Sequence, residues 1–141
     1  MRSQKASSVD CSLIVRDRFF DFLPNKDVAR SAYIQNIVNS GYVLCLRGHG
    51  NYSFCLFDAL SSGRVPVLVD SDCILPFDFL IDYRSLFPIV PLKQLHDLPR
   101  IVAEHYSQFS DAEWLELQYK LHRLYLDWLL PVELFLRGEP L

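Results

Sequence analysis

"YVLCLRGHGNYSFCLFDALSSGRVPVLVD", residues 42–70, decides the fold. Its first part, YVLCL at 42–46, is short, apolar and flanked by Gly41 and Gly48, the pattern of a buried strand. A polar loop, RGHGNY, follows. From Ser53 the apolar period becomes helical: Phe54, Leu56, Phe57, Ala59 and Leu60 make one broad face, Ser53 is placed to cap the first turn and Gly63 to end the last. VPVLV, 65–69, is a second, β-branched run, and Asp70-Ser71-Asp72 closes it. Two buried strands joined by a helix make a βαβ unit, which implies a parallel sheet and an α/β class.

The flanks extend this unit. Upstream, Asp27 is placed to cap a helix through Val28, Tyr33, Ile34, Ile37 and Val38, and Asn39-Ser40-Gly41 is a stop signal. Residues 12–23, SLIVRDRFFDFL, are apolar but irregular and end at Pro24, which suggests a short strand with a turn; residues 1–26 are the least defined part of the chain. Downstream, FPIVPL at 87–92 reads as a third strand that Pro88 and Pro91 push to a sheet edge. Asp97 precedes a helix carrying Leu98, Val102, His105 and Phe109, with Pro99 in its first turn. Ser110 and Glu113 form a capping box ahead of Trp114, Leu117, Leu121, Leu124 and Trp128, a stripe read as core packing. The expected architecture is a Rossmann-like parallel sheet flanked by helices, with a helical C-terminal third.

At 141 residues, half of them hydrophobic, the chain suits one domain over 1–141. A formal charge of −3 with scattered basic residues gives no field to hold a polyanion, so nucleic acid is not an expected partner. Cys11, Cys45, Cys55 and Cys73 show no CxxC spacing and sit in apolar surroundings, where a free thiol behaves as a small hydrophobe; a reducing compartment is the simpler expectation. No signal-like apolar region and no stretch of the ~20 apolar residues needed to span a bilayer is apparent, so the chain reads as cytoplasmic.

In an open parallel sheet, ligands bind beyond the carboxyl ends of the strands, where loops meet helix N-termini. RGHGNY lies there. Gly48 and Gly50 let the backbone approach a phosphate, the N–H groups after Ser53 and the helix dipole favour negative charge, and Arg47 offers a bidentate fork. The same residues also suit a plain turn with a solvated arginine. Asp58 falls about one and a half turns into the helix, near its apolar face, where a carboxylate needs a partner. A ribose hydroxyl would serve, and so would Arg64 or Arg84.

Residues 42–83, from YVLCLRGHGNYS through GRVPVLVDSDCILPFDFLIDY, closely resemble the core of the exostosin-type glycosyltransferases. That pattern runs from an apolar strand through a CPRG-like loop, a G-x-x-S turn and a helix with an Arg and a Glu, to GxIPV, an acidic pair and LPF. The resemblance implies the C-terminal, nucleotide-sugar-binding half of a GT-B enzyme. It places Arg47, Gly48, Gly50 and Ser53 toward the diphosphate and puts Asp58 where a ribose-binding glutamate belongs. Two positions depart from the pattern: Cys55 stands where the family has its helix Arg, and Asp58 is one methylene shorter than Glu. A GT-B enzyme also needs an acceptor-binding half, and none precedes residue 30, so this stretch is expected to act as half an enzyme.

Asp70 and Asp72 also fit the DxD of metal-dependent GT-A transferases, in which two carboxylates bring a divalent cation to a sugar diphosphate. Here Asp72 is preferred as a loop cap or sugar-side contact. The four histidines have no ligand spacing, and Asn51-Tyr52-Ser53 is a glycosylation sequon that matters only in a secreted chain. The functional expectation is a domain that binds a nucleotide sugar, a UDP-sugar by resemblance, for transfer to a carbohydrate acceptor without a required metal. Its catalytic residues are not identified. The alternatives are a non-catalytic interaction subunit, self-associating or bound to another protein, and a GT-A-like enzyme using Asp70 and Asp72.

Overall fold

The computed structural model describes residues 9–14, 24–48 and 50–140. Most of the strand and turn expected over 12–23 lies outside them, as does His49. In chain order the elements are α1 (Lys26–Val38), β1 (Tyr42–Cys45), α2 (Phe54–Ser61), β2 (Val65–Asp70), β3 (Ile89–Pro91), α3 (Leu98–Ser107), α4 (Asp111–Leu124) and α5 (Leu130–Arg137). The strands form one parallel sheet in the order β1-β2-β3, with Tyr42 opposite Val65, Cys45 opposite Leu68, and Asp70 opposite Pro91.

The αβ reading of 42–70 holds to the residue at its caps. The Ser53 hydroxyl accepts from the Leu56 N–H at 3.3 Å. At the other end of α2, Gly63 adopts φ +65° while its N–H bonds Leu60 O and the Arg64 N–H bonds Ala59 O, a Schellman closure that a left-handed residue makes possible. Leu56, Phe57, Ala59 and Leu60 of this helix are buried in the main core.

β2 is the central strand and carries Pro66, a residue that cannot donate to a ladder. The register explains why it is tolerated. Val65 donates to Gly41 O on the β1 side, and Leu68 donates to Pro88 O on the β3 side. Position 66 therefore turns its missing N–H to the β3 side, two residues before that ladder begins. β3 is the edge strand expected from its prolines. The connection from β2 to β3 holds no α-helix, only a 3₁₀ turn at Tyr83–Ser85. It is pinned instead by the Tyr83 hydroxyl on Pro76 O at 2.6 Å and by the Leu80 and Ile81 N–H groups on Phe77 O.

The main core joins α2, β2, α4 and the turn before α5 through Phe57, Leu60, Leu68, Phe87, Leu121 and Leu129. A smaller cluster of Val67, Val90 and Val102 seats α3 on the opposite side of the sheet. At the amino end of β1, Tyr42 packs on Trp114 and its hydroxyl meets His105 Nδ1 at 2.6 Å, so this histidine is a packed one, its pKa lowered by burial.

Three local expectations are corrected. Asn25, not Asp27, caps α1, its side chain accepting from the Val28 N–H, and Asp27 becomes a first-turn acid. α3 starts directly after Asp97 with Pro99 in its first turn, as expected, but Phe109 lies beyond the helix end, packed on His105 and Trp114. The Ser110 capping box is present, but the helix it opens is not regular through Trp128. A π turn spans Tyr125–Leu129, closed by the Leu130 N–H on Tyr125 O. Pro131 accounts for it, since a proline inside a helix crowds the carbonyl four residues back, and the wider turn relieves that contact. Trp114, Leu117, Leu121 and Leu124 pack as core, whereas Trp128 is half exposed and meets the Phe77 ring in a T-shaped contact. Among the described residues no helix is long and apolar enough to cross a membrane.

Candidate functional site

The loop after β1 lies at the carboxyl edge of the sheet, beside the loop after β2. Asn51 links the two: its carbonyl accepts from the Ile74 N–H at 2.8 Å and lies 3.4 Å from Cys73 Sγ. Within the loop, the Gly48 N–H donates to Tyr52 O at 3.2 Å, so that amide is used in closing the loop. A Cβ at Gly50 would sit 2.7 Å from the Tyr52 ring, so a side chain there would require that ring to shift. Arg47 is exposed, reaching Asn51 Oδ1 at 3.5 Å and lying near the Cys73 thiol, whose pKa burial pushes up and Arg47 pulls down. Ser53 is 2 % exposed and its oxygen holds the cap of α2. Arg47, Gly48, Gly50 and Ser53 are thus gathered at one end of α2, with the arginine open to solvent and the serine enclosed.

Asp58 is partnered by neither Arg64 nor Arg84. Its Oδ2 accepts from the Tyr33 hydroxyl of α1 at 2.9 Å, and its Oδ1 lies 3.6 Å from Arg137 Nη2 at the end of α5. Arg137 also donates through Nε to Glu133 at 2.6 Å and lies over the Phe54 ring at 4.3 Å. The Tyr125 hydroxyl completes the chain on Glu133 Oε2 at 2.8 Å. Burial raises the Asp58 pKa, and the Tyr33 hydrogen bond and the Arg137 charge pull the other way. Tyr125 is pushed up to about 12 by burial and by Glu133. Each Asp58 oxygen keeps a second lone pair, so the carboxylate can still accept from an added hydroxyl. Tyr33, Glu133 and Arg137 were not singled out from the sequence; the only local hint was the i, i+4 spacing of Glu133 and Arg137.

Cys55 faces β1, its Sγ 3.6 Å from Leu44 O, and Cys45 and Tyr33 lower its pKa against the effect of burial. The family's helix arginine is absent at that position, and Arg137, from the end of α5, reaches the same helix at Phe54 and Asp58. Asp70 ends β2 and pairs with Arg84 at 3.4 Å. Asp72 is exposed and takes φ +59°, a left-handed conformation that aspartate tolerates in turns. A cleft of about 490 Å³ opens between this turn and β3, lined by Asp70, Cys73, Asp78 and Tyr83 among others, and by neither Arg47 nor Asp58. Among the described residues no group of three or more His, Cys, Asp or Glu side chains is arranged to hold a metal ion.

The sequence matches the Exostosin GT47 domain over residues 4–105, a span that includes the whole sheet and stops before α4. It is 32% identical over 78 residues to an exostosin-1 homolog of Caenorhabditis elegans, covering 55% of this chain and 20% of that protein. A probable glycosyltransferase of Arabidopsis thaliana is 32% identical over 87 residues, 62% of this chain and 16% of its own length. A second from the same plant is 29% identical over 72 residues. The matched stretch spans a fifth or less of these relatives.

Proposed function

The chain belongs to the exostosin GT47 glycosyltransferase family, and from that premise we propose that it supplies the nucleotide-sugar-binding part of a GT-B-type transferase. Residues 1–141 act as one donor-side domain in this reading, and the donor is a UDP-sugar. The observation that carries it is the gathering of Arg47, Gly48, Gly50 and the first turn of α2 at the carboxyl edge of β1, with an exposed guanidinium at its mouth. An anion placed there meets helix N–H groups, the positive end of the helix dipole and a cation, without a metal. Those same groups stabilise the charge that develops on a leaving diphosphate, which is electrostatic catalysis. Asp58 takes a ribose hydroxyl on its free lone pairs while Tyr33 and Arg137 hold it in place. The carbohydrate acceptor and any general base come from another part of the enzyme.

Calorimetry with UDP in the presence of EDTA tests this. Binding is expected without metal, and Arg47→Ala should weaken it by about 1.5–3 kcal/mol, the range for a hydrogen bond to a charged group. Strict dependence on manganese would move the site to Asp70 and Asp72. A second reading, an interaction subunit without transferase chemistry, draws on Cys55 in place of the family cation and on the partners Asp58 already has within the chain. A folded chain that binds no UDP under either condition would favour it.

A further inference from the structure

Two thiols meet where β1 passes under the start of α2. Cys45, the last residue of β1, is fully buried, with Sγ 3.4 Å from Val43 O. Cys55, in the first turn of α2, is only partly buried, and its Sγ lies 3.6 Å from Leu44 O, the carbonyl of the peptide that leads into Cys45. Cys55 packs against the buried cluster that contains Cys45, and each thiol shifts the pKa of the other. The core fixes both backbones, since α2 buries four of its eight residues in the cluster that holds Cys45.

We propose that Cys45 and Cys55 are an oxidisable pair that closes a disulfide between β1 and α2. The two residues have distinct roles. The Cys45 hydrogen bond, its largest influence, lowers the Cys55 pKa, and the same contact with burial raises that of Cys45. Cys55, the more accessible and more acidic thiol, is the nucleophile, and Cys45 is the resolving thiol. With a low-molecular-weight disulfide as oxidant, the Cys55 thiolate attacks one sulfur and releases one thiolate, leaving a mixed disulfide. Cys45 then gives up its proton and attacks Cys55 Sγ, breaking the mixed disulfide and releasing the second thiolate. The protein loses two electrons and two protons, and the oxidant gains them as two thiols. Only Cys55 needs to meet the reagent; the second step occurs inside the fold. This proposal is independent of nucleotide binding.

The test uses the full chain, reduced, desalted and exposed to oxidised glutathione, then unfolded, alkylated and weighed. Cys11 and Cys73 should be alkylated, Cys45 and Cys55 should not, and the mass before alkylation should fall by about 2 Da, the two hydrogens of a disulfide. Trypsin cuts after Arg30, Arg47 and Arg64, so the pair should appear as peptides 31–47 and 48–64 joined through sulfur. Cys45→Ser should leave glutathione on Cys55 with nothing to displace it. The wild-type measurement decides the matter even if that variant does not fold. Four alkylated cysteines, a stable glutathione adduct on wild-type Cys55, or linkage of either residue to Cys73 would each overturn the proposal.

Discussion

Helices α1 and α2 both reach Asp58, one through Tyr33 and the other by carrying it, but they are held by different means. α1 has 13 residues and buries Ala29 and Ile37; α2 has eight and buries four. On α1, Val28, Ile34 and Val38 are exposed, so its apolar residues do not gather into one face among the described contacts. α2 has its apolar side chains on one side, a serine cap and a Schellman end, and the sheet beneath it. Length does not position a helix here. A continuous apolar face against a formed sheet does, and α1 depends more on single polar contacts such as the Tyr33 hydrogen bond.

The sharpest way to break this contrast is to cut one core side chain from each helix. Phe57→Ala removes a side chain only 1 % exposed and should cost about 3–5 kcal/mol, whereas Ile37→Ala should cost about 2 kcal/mol, the low end for a buried aliphatic residue. Urea melts of both variants measure it. Equal losses would mean that α1 is as firmly seated as α2.

A middle-sized effect is expected at Arg137, which ties α5 to the Asp58 side of α2. Arg137→Ala leaves the nearly enclosed Glu133 carboxylate with the Tyr125 hydroxyl but without its cation. The loss should be about 1–3 kcal/mol, the cost of an unsatisfied buried polar group, read from the same melts. The restoring change is Glu133→Gln in that background, since it removes the stranded charge; no recovery would show that Arg137 acts by packing on Phe54.

The smallest effect belongs to Tyr33, and it carries a pH signature. Burial raises the folded-state pKa of Asp58, so its contribution to stability is fully present below the unfolded carboxyl value and is lost as pH rises through the higher folded value. The Tyr33 hydrogen bond opposes that shift. Tyr33→Phe should cost about 0.5–1.5 kcal/mol at neutral pH, the net range for one hydrogen bond, and should move the loss to higher pH. Asp58→Asn should remove the dependence. Thermal melts from pH 3 to 7, a range that brackets an ordinary carboxyl pKa of about 3.9, follow both; an unchanged profile in Tyr33→Phe would show that α1 does not influence Asp58.

What could be read in the chain and what could not divide along the range of the forces involved. The βαβ unit, the Ser53 and Ser110 caps, the Gly63 end and the edge strand at 89–91 depend on neighbours a few residues away, so run length, period and cap residues were enough to place them. The loop at Arg47 followed from that topology, because a parallel sheet delivers the β1–α2 turn to its carboxyl edge. The π turn was harder to see: the stripe through Trp128 keeps helical spacing, and only the crowding of Pro131 against the preceding turn breaks it. The partners of Asp58 had no local signal at all. Tyr33 and Arg137 come from near the two ends of the described chain, and they meet on one carboxylate because α1 and α5 both reach α2 at Asp58. A partly buried charge has to be matched by whatever donor the packed helices bring within reach, and that choice exists only once they are packed.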